Sequence, residues 1–186
     1  KQRKLAKAGT LTFLFGGGAN LFYETALSQG SEMTLKDAYE FEEMFFQRFS
    51  GLAKVRAGAT IAAKTRQSVS VVMPHGLIRT LAGPTLRPTT IMNTAVQGSA
   101  ASGLKQALLL CREKGIDTYL AGTVHDEIIF VAPMEDLNGF IVERAQEAMK
   151  EGMRLMFPGT VNGKLFPVEV GVTVRDCWDG PPPIDD

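Results

Sequence analysis

Three small groups of residues in this chain have the types and spacing that chemistry requires. The first is His125-Asp126-Glu127, set between two apolar runs. Adjacent carboxylates repel unless solvent or a divalent cation offsets their charge, and a tight hairpin ordinarily carries a pair such as Asn-Gly. A metal-binding corner fits this tripeptide. An exposed turn, where Asp is common, fits it too, and is the better reading of the tripeptide alone. The second group is Arg3, Lys7, Leu11 and Phe15, at successive i, i+4 positions on one helical face. Two cations followed by two apolar groups suit a nucleoside triphosphate, the charges for phosphates and the apolar surface for sugar and base. They also suit an amphipathic helix with Leu11 and Phe15 in the core. The third group is Asn93 and Gln97, again at i, i+4, followed by Gly98-Ser99-Ala100-Ala101. Side-chain amides can donate to the minor-groove acceptors that every base pair presents, and small residues beyond them would admit another backbone. A helix-packing face with a satisfied amide pair explains the same residues.

The elements that must position these groups follow from periodicity and breakers. Residues 1–15 read as helix, Gly16-Gly17-Gly18 interrupts, and a weaker helix resumes through Ala26. Thr34 and Asp37 form a capping box for a helix through Phe49, which Gly51 is expected to close. A further helix covers Leu52–Gln67. Ser68–Met73 and Leu77–Leu81 read as strands around the turn Pro74-His75-Gly76. A long helix runs from Thr90 to Lys114 and stops at Gly115. Tyr119–Val124 and Ile128–Ala132 are expected to be buried strands joined by the His-Asp-Glu tripeptide. Met134–Phe157 reads as one helix with Glu135 and Asp136 favourable to its N-terminus, and Pro167–Val174 as a final strand. An α+β arrangement follows. The expected division is a helical part, residues 1–85 with a small hairpin near 68–81, and a strand-rich part, residues 86–186.

At 186 residues and 45% hydrophobic, the chain is long enough to bury a core. Cys111 and Cys177 have no metal-ligand spacing, which predicts reduced thiols in an intracellular, cytoplasmic protein (host cytoplasm, if the source is viral). No apolar run approaches a membrane span. The chain starts at Lys1 without an initiator Met, which predicts a segment of something larger, and 180–186 reads as a polar tail. Net charge is zero but uneven: residues 1–93 carry 12 Lys+Arg against 6 Asp+Glu, residues 94–186 carry 8 against 14. No acidic residue lies between Glu43 and Glu113, an interval that holds Arg48, Lys54, Arg56, Lys64, Arg66, Arg79, Arg87, Lys105 and Arg112. Spaced cations without acids are what a polyanion-binding surface needs, because each neutralised phosphate releases counterions. A solvated basic face is the equal alternative.

Together the groups narrow the choice. Arg3-x3-Lys7-x3-Leu11-x3-Phe15-Gly16, then Asn93-x3-Gln97-Gly98, then Val124-His125-Asp126-Glu127 resemble three motifs of the family A DNA polymerases, in the same order. Phe45-Phe46-Gln47-Arg48-Phe49-Ser50-Gly51 resembles that family's helix end between the first two. Val168-Glu169-Val170-Gly171, with Trp178 shortly after, resembles its C-terminal strand. The resemblance implies that Arg3 and Lys7 hold the incoming triphosphate. It places Leu11 against the nucleotide sugar and base, with Phe15 and Gly16 at the helix end facing the templating base. It further implies that Asn93 and Gln97 contact the primer–template minor groove, that His125 lies near the primer end, that Asp126 is a catalytic metal ligand, and that Glu127 is a lesser acidic neighbour. Residues 1 to about 85 would be fingers and the remainder the C-terminal part of the palm. The implied reaction is attack of a primer 3′-hydroxyl on the α-phosphate of a deoxynucleoside triphosphate, with two Mg²⁺ ions on the attacking and leaving oxygens.

Four departures qualify this. The family's other essential carboxylate lies upstream of the fingers helix and has no counterpart here, so the site needs a missing upstream polymerase segment and the isolated chain is expected to be inactive. Leu11 stands where the family usually carries an aromatic residue, losing the flat ring. Phe15 stands where tyrosine is usual. Thr89 and Thr123 stand where longer polar or basic side chains are common. Alternative readings are a non-catalytic DNA-binding or partner module derived from such a polymerase, one piece of a split polymerase, and an unrelated phosphohydrolase using His125-Asp126. The last would need further ligands, and the other histidine, His75, sits in a turn.

Overall fold

The computed structural model describes residues 2–161 and 163–175, so Cys177, Trp178 and the tail 180–186 lie outside the described residues. The chain divides into two units, Lys1–Gly98 and Ser99–Asp186. Helices carry both, with three two-stranded antiparallel sheets among the described residues, in agreement with the α+β reading.

The first unit begins with α1 (Gln2–Leu14), α2 (Ala19–Ser28), α3 (Leu35–Arg48) and α4 (Ser50–Thr65). Its core is aromatic. Phe13 and Phe22 are fully buried, their rings 5.5 Å apart edge to face, and Phe41 lies 5.1 Å from Phe22. Burial of each such ring contributes roughly 1.5–3 kcal/mol. Gly9 lets α1 lie on these rings, because a Cβ there would meet Phe22 and Phe41 at 3.0 Å. The capping box starts α3 as expected: the Thr34 hydroxyl accepts from the Asp37 N–H at 3.1 Å, and the Thr34 N–H donates to the Asp37 carboxylate at 2.8 Å. That acceptance holds the Asp37 carboxyl below its usual range. No side chain of its own caps α2. Instead the Ala19 N–H donates to the Glu42 carboxylate of α3 at 2.8 Å, placing negative charge at a helix N-terminus. Glu42 also pairs with Arg56 of α4, whose guanidinium lies 4.7 Å from the Phe46 ring centroid.

Two expectations change here. Gly51 does not close a helix. It lies inside α4, and the break is made by Phe49, whose φ −112°, ψ 59° ends α3 and begins α4 without a linker. The hairpin β1 (Ser68–Val72) and β2 (Ile78–Ala82) forms as read, with Ser70 opposite Thr80 and Val72 opposite Ile78. Its turn closes through Gly76 N–H to the Met73 carbonyl at 2.9 Å, with Pro74 at the position its fixed φ favours. Met73 is buried, and its thioether occupies the space that a side chain at Gly98 would need. A side-chain tip, not another backbone, therefore fills the gap at Gly98.

The helix α5 (Pro88–Glu113) opens on proline, whose missing N–H costs nothing at a first helical position. It ends at Gly115, φ +70°, where the Ile116 N–H reaches back to the Cys111 carbonyl at 3.0 Å. In the second unit, Gly152 of α7 (Val142–Leu155) meets α5 backbone to backbone: a Cβ there would lie 2.6 Å from the Ala107 nitrogen and 2.7 Å from the Gly103 carbonyl oxygen. Arg144 of α7 donates to the Lys114 carbonyl at 2.8 Å, satisfying an orphan group at the C-terminal end of α5, while its guanidinium lies 4.6 Å from the Phe140 centroid. Lys114 pairs with Glu147 at 3.2 Å and Glu151 at 3.6 Å.

The expected helix over Met134–Phe157 forms without a break from Met134 to Leu155, as α6 (Met134–Asp136), a π-helical turn Leu137–Ile141 and α7, with helical dihedrals at each junction. The strands β3 (Leu120–Val124) and β4 (Glu127–Phe130) form an antiparallel pair with a bulge between Leu120 and Gly122. They are not the buried strands expected. Leu120 and Val124 are exposed, and only Ile128 and Phe130 pack toward the core of Leu110, Cys111, Ile116 and Ile141. Among the described residues no other strand joins this pair, so both of its edges are open. A small hairpin, β5 (Thr160–Val161) with β6 (Lys164–Leu165), follows α7. Pro167–Val174 forms no ladder among the described residues. Phe166, Val168 and Val170 are half-buried while Pro167, Glu169 and Gly171 are exposed, but Val172 and Val174 are exposed as well, so the period-two pattern ends at Gly171. The Val170 carbonyl accepts instead from Gln146 at 3.1 Å.

Candidate nucleotide and metal sites

On α1 and the turn that follows it, Arg3, Lys7, Leu11 and Phe15 all lie on the exposed side of the first unit. Leu11 is 41% exposed and Phe15 37%. The core of this helix is instead Leu5, Ala8 and Phe13, so the amphipathic reading that buries Leu11 and Phe15 fails. Successive four-residue steps climb about 6 Å each, which spreads two unpaired cations and two apolar groups along one open strip. Among the described residues no carboxylate pairs with Arg3 or Lys7.

The end of this strip is held by α5. Gly16 turns with φ +80°, and a Cβ on it would meet Thr89 at 3.1 Å and the Met92 sulfur at 3.3 Å. Asn93 Nδ2 donates to the Phe15 carbonyl at 3.4 Å, across 78 residues of sequence. Its Oδ1 is buried without a hydrogen-bond partner among the described residues. Gln97, one turn further along α5, is exposed. Asn93 and Gln97 therefore share a helix face but not a situation: one amide is engaged with the chain and the other is open. No sequence signal points to the Asn93–Phe15 contact.

In the second unit, His125, Asp126 and Glu127 are all exposed at the end of the β3–β4 hairpin. The turn itself is His125-Asp126. Glu127 is the first residue of β4, paired with Val124, and shares that residue's face of the hairpin. His125 has φ +54°, the one left-handed residue other than glycine among those described. A type I′ turn needs positive φ at both central residues, and Asp126 does not have it. Carboxylate oxygens are the donors that hard divalent cations prefer. Two adjacent ones fit Mg²⁺ in kind but not in number, and no group of three or more metal-ligating side chains occurs among the described residues.

The cations of the acid-free interval separate into two sets. Arg56 is taken up by Glu42 and Phe46, and Arg48 lies 5.9 Å from the Phe49 ring centroid. Lys54, Lys64, Arg66, Arg79, Arg87, Lys105 and Arg112 are exposed with no carboxylate partner among the described residues.

Comparison with known proteins shows the family of the chain. Residues 1–179 match the model of DNA polymerase family A, and the chain belongs to that family. It is 29% identical over 184 residues to DNA polymerase I of Aquifex aeolicus (strain VF5), covering 96% of this chain and 30% of that protein. It is 28% identical over 166 residues to DNA polymerase I of Geobacillus stearothermophilus, covering 84% and 18%. To the DNA polymerase of Mycobacterium phage D29 it is 26% identical over 159 residues, covering 86% and 24%. The chain thus spans under a third of the length of these relatives. Among the described residues no helix is long and apolar enough to cross a membrane.

Proposed function

We propose that this chain supplies the fingers and the C-terminal part of the palm of a template-directed DNA polymerase acting in replication or repair. Primer–template DNA and deoxynucleoside triphosphates would be its substrates. The observation that carries the reading is the exposed strip Arg3, Lys7, Leu11 and Phe15, in a chain that belongs to DNA polymerase family A. Arg3 and Lys7 neutralise charge on the triphosphate, a role that needs position and charge but no covalent chemistry. Leu11 packs against sugar and base, and Phe15 with Gly16 borders the templating position. The primer 3′-hydroxyl gives up its proton to solvent as its oxygen attacks the α-phosphorus, the bond from that phosphorus to the bridging oxygen breaks, and pyrophosphate leaves with the negative charge that Lys7 and Arg3 balance. Gln97 reads the minor groove without sequence preference, and His125 attends the primer end.

Asp126 would hold magnesium, with Glu127 a second oxygen donor and a carboxylate from an upstream polymerase segment completing the site. Bound there, magnesium supplies Lewis-acid stabilisation of the attacking and leaving oxygens. Because the tip offers only these two carboxylates, the 186 residues alone are expected not to extend a primer. Measurable extension by the chain on its own would overturn that expectation. A second reading compatible with the same observation is one piece of a split polymerase. The test is primer extension with the carboxylate-bearing segment supplied, as one polypeptide or as a separate chain. Extension only in one polypeptide excludes the split enzyme. DNA binding with no extension in either form would leave a non-catalytic binding module.

A further inference from the structure

Asn93 sits in the group expected to touch DNA, but its amide faces the protein. The Phe15 carbonyl can only accept, so the nitrogen of the Asn93 amide must point to it, and Nδ2 does so at 3.4 Å. The remaining oxygen, Oδ1, is buried with no donor among the described residues. A minor-groove reader would present its amide outward, as Gln97 does one turn away. The same corner is fixed a second time. Gly16 is pressed on Thr89 and Met92, in the turns of α5 that lead to Asn93. The end of α1 is thus held by α5 through one hydrogen bond and one close backbone approach, while the Phe15 ring stays 37% exposed.

We propose that Asn93 is a positioning residue: its amide, donating to the Phe15 carbonyl, sets where the Phe15 ring stands and so how the insertion position discriminates between nucleotides. This rests on the reading of Phe15 as a residue of the nucleotide site. The role is geometric. The bond is made to the main chain, so it places the ring regardless of what ring is there. It is also made at the long end of the hydrogen-bond range, and Oδ1 has no donor to hold the amide from its other side. Replacing the amide by a carboxylate turns attraction into repulsion with no change of size. Asn93→Asp puts an oxygen against the Phe15 carbonyl where a nitrogen had donated.

The experiment uses the complete polymerase, with the upstream carboxylate segment in place, and compares wild type, Asn93→Asp, Asn93→Ala, Phe15→Ala and the Asn93→Ala/Phe15→Ala pair. Both Asn93 variants are expected to raise KM for the correct nucleotide roughly three- to tenfold and to change the ratio of wrong to correct insertion. The Kd for primer–template should stay within about twofold, and Asn93→Ala should add nothing in the Phe15→Ala background. A rise in Kd for primer–template with KM unchanged, or additive effects in the pair, would overturn the proposal and return Asn93 to the DNA-contacting group. Amide exchange in the chain itself separates this from the polymerase reading. The N–H groups of Gly16 and Gly17 close α1 on the Phe13 and Thr12 carbonyls at 3.2 and 2.8 Å, and their exchange should accelerate in Asn93→Ala. Unchanged exchange sinks the positioning role. Accelerated exchange in a protein whose wild type extends no primer sinks only the polymerase reading.

Discussion

Gly152 and Ala107 meet backbone to backbone: a Cβ on Gly152 would lie 2.6 Å from the Ala107 nitrogen, which a real Cβ does not tolerate. The clash would be with main chain, which cannot swing aside as a side chain can. Gly152→Ala is therefore expected to destabilise the second unit by about 1–3 kcal/mol or more, although alanine is the better helix former. Urea denaturation checks this, and a loss below about 0.5 kcal/mol would show that the helices slide apart at little cost.

Gly58 is the opposite case. It lies inside α4, and nothing lies within 4 Å of a Cβ placed there. Gly58→Ala should stabilise by about 0.5–1 kcal/mol, because only the entropy of the unfolded chain changes. A destabilised variant would mean that the outer face of α4 is covered by something in solution.

The capping box gives a pH dependence with a definite sign. Asp37 is depressed below 3.8, first by the Thr34 backbone N–H and then by the Thr34 side chain. A depressed carboxyl contributes stability that is present above its unfolded value and lost as pH falls through its folded value. Wild type should therefore lose stability relative to Asp37→Asn as pH falls from about 6 to about 2. Parallel curves for the two proteins would show that the box does not persist in solution.

Leu11 is 41% exposed, so Leu11→Phe should leave folding stability within about 0.5 kcal/mol. In the complete polymerase, a flat ring stacking on the base should lower KM for the nucleotide by roughly two- to tenfold. Identical single-nucleotide kinetics would reject contact between Leu11 and the nucleotide.

Asp126→Ala should reduce primer extension in the complete polymerase by at least about a hundredfold, while thermal unfolding stays near wild type because the side chain is exposed. An intact rate would remove Asp126 from the metal site.

Much of this was legible in the sequence, for local reasons. The Thr34/Asp37 box, the stop at Gly115, the β1–β2 turn and the shared face of Arg3, Lys7, Leu11 and Phe15 depend on residues within a few positions of one another. What was not legible depends on distant ones. Gly51 has the chemistry of a helix stop, but Phe49 makes the break, and only the packing of α3 against α4 decides between them. The apolar runs around His125 carry the composition of buried strands, yet composition does not say how many neighbours a strand has, and among the described residues each has one. Pro167–Val174 keeps its alternation only as far as Gly171 and joins no ladder among the described residues. The Glu42 carboxylate at the N-terminus of α2 and the Asn93 amide on the Phe15 carbonyl join residues 23 and 78 apart, beyond the reach of any spacing rule.

The left-handed backbone of His125 limits what evolution can place there. Glycine would remove the backbone strain of roughly 1 kcal/mol, so a turn optimised only for closing the hairpin would drift to it, or to asparagine. Threonine, valine and isoleucine are closed off by their branched Cβ. The position thus has a short menu in which every easier folding choice discards the imidazole. A survey of tolerated substitutions at His125, scored separately for expression and for extension, should give two different rankings, with glycine high in the first and low in the second.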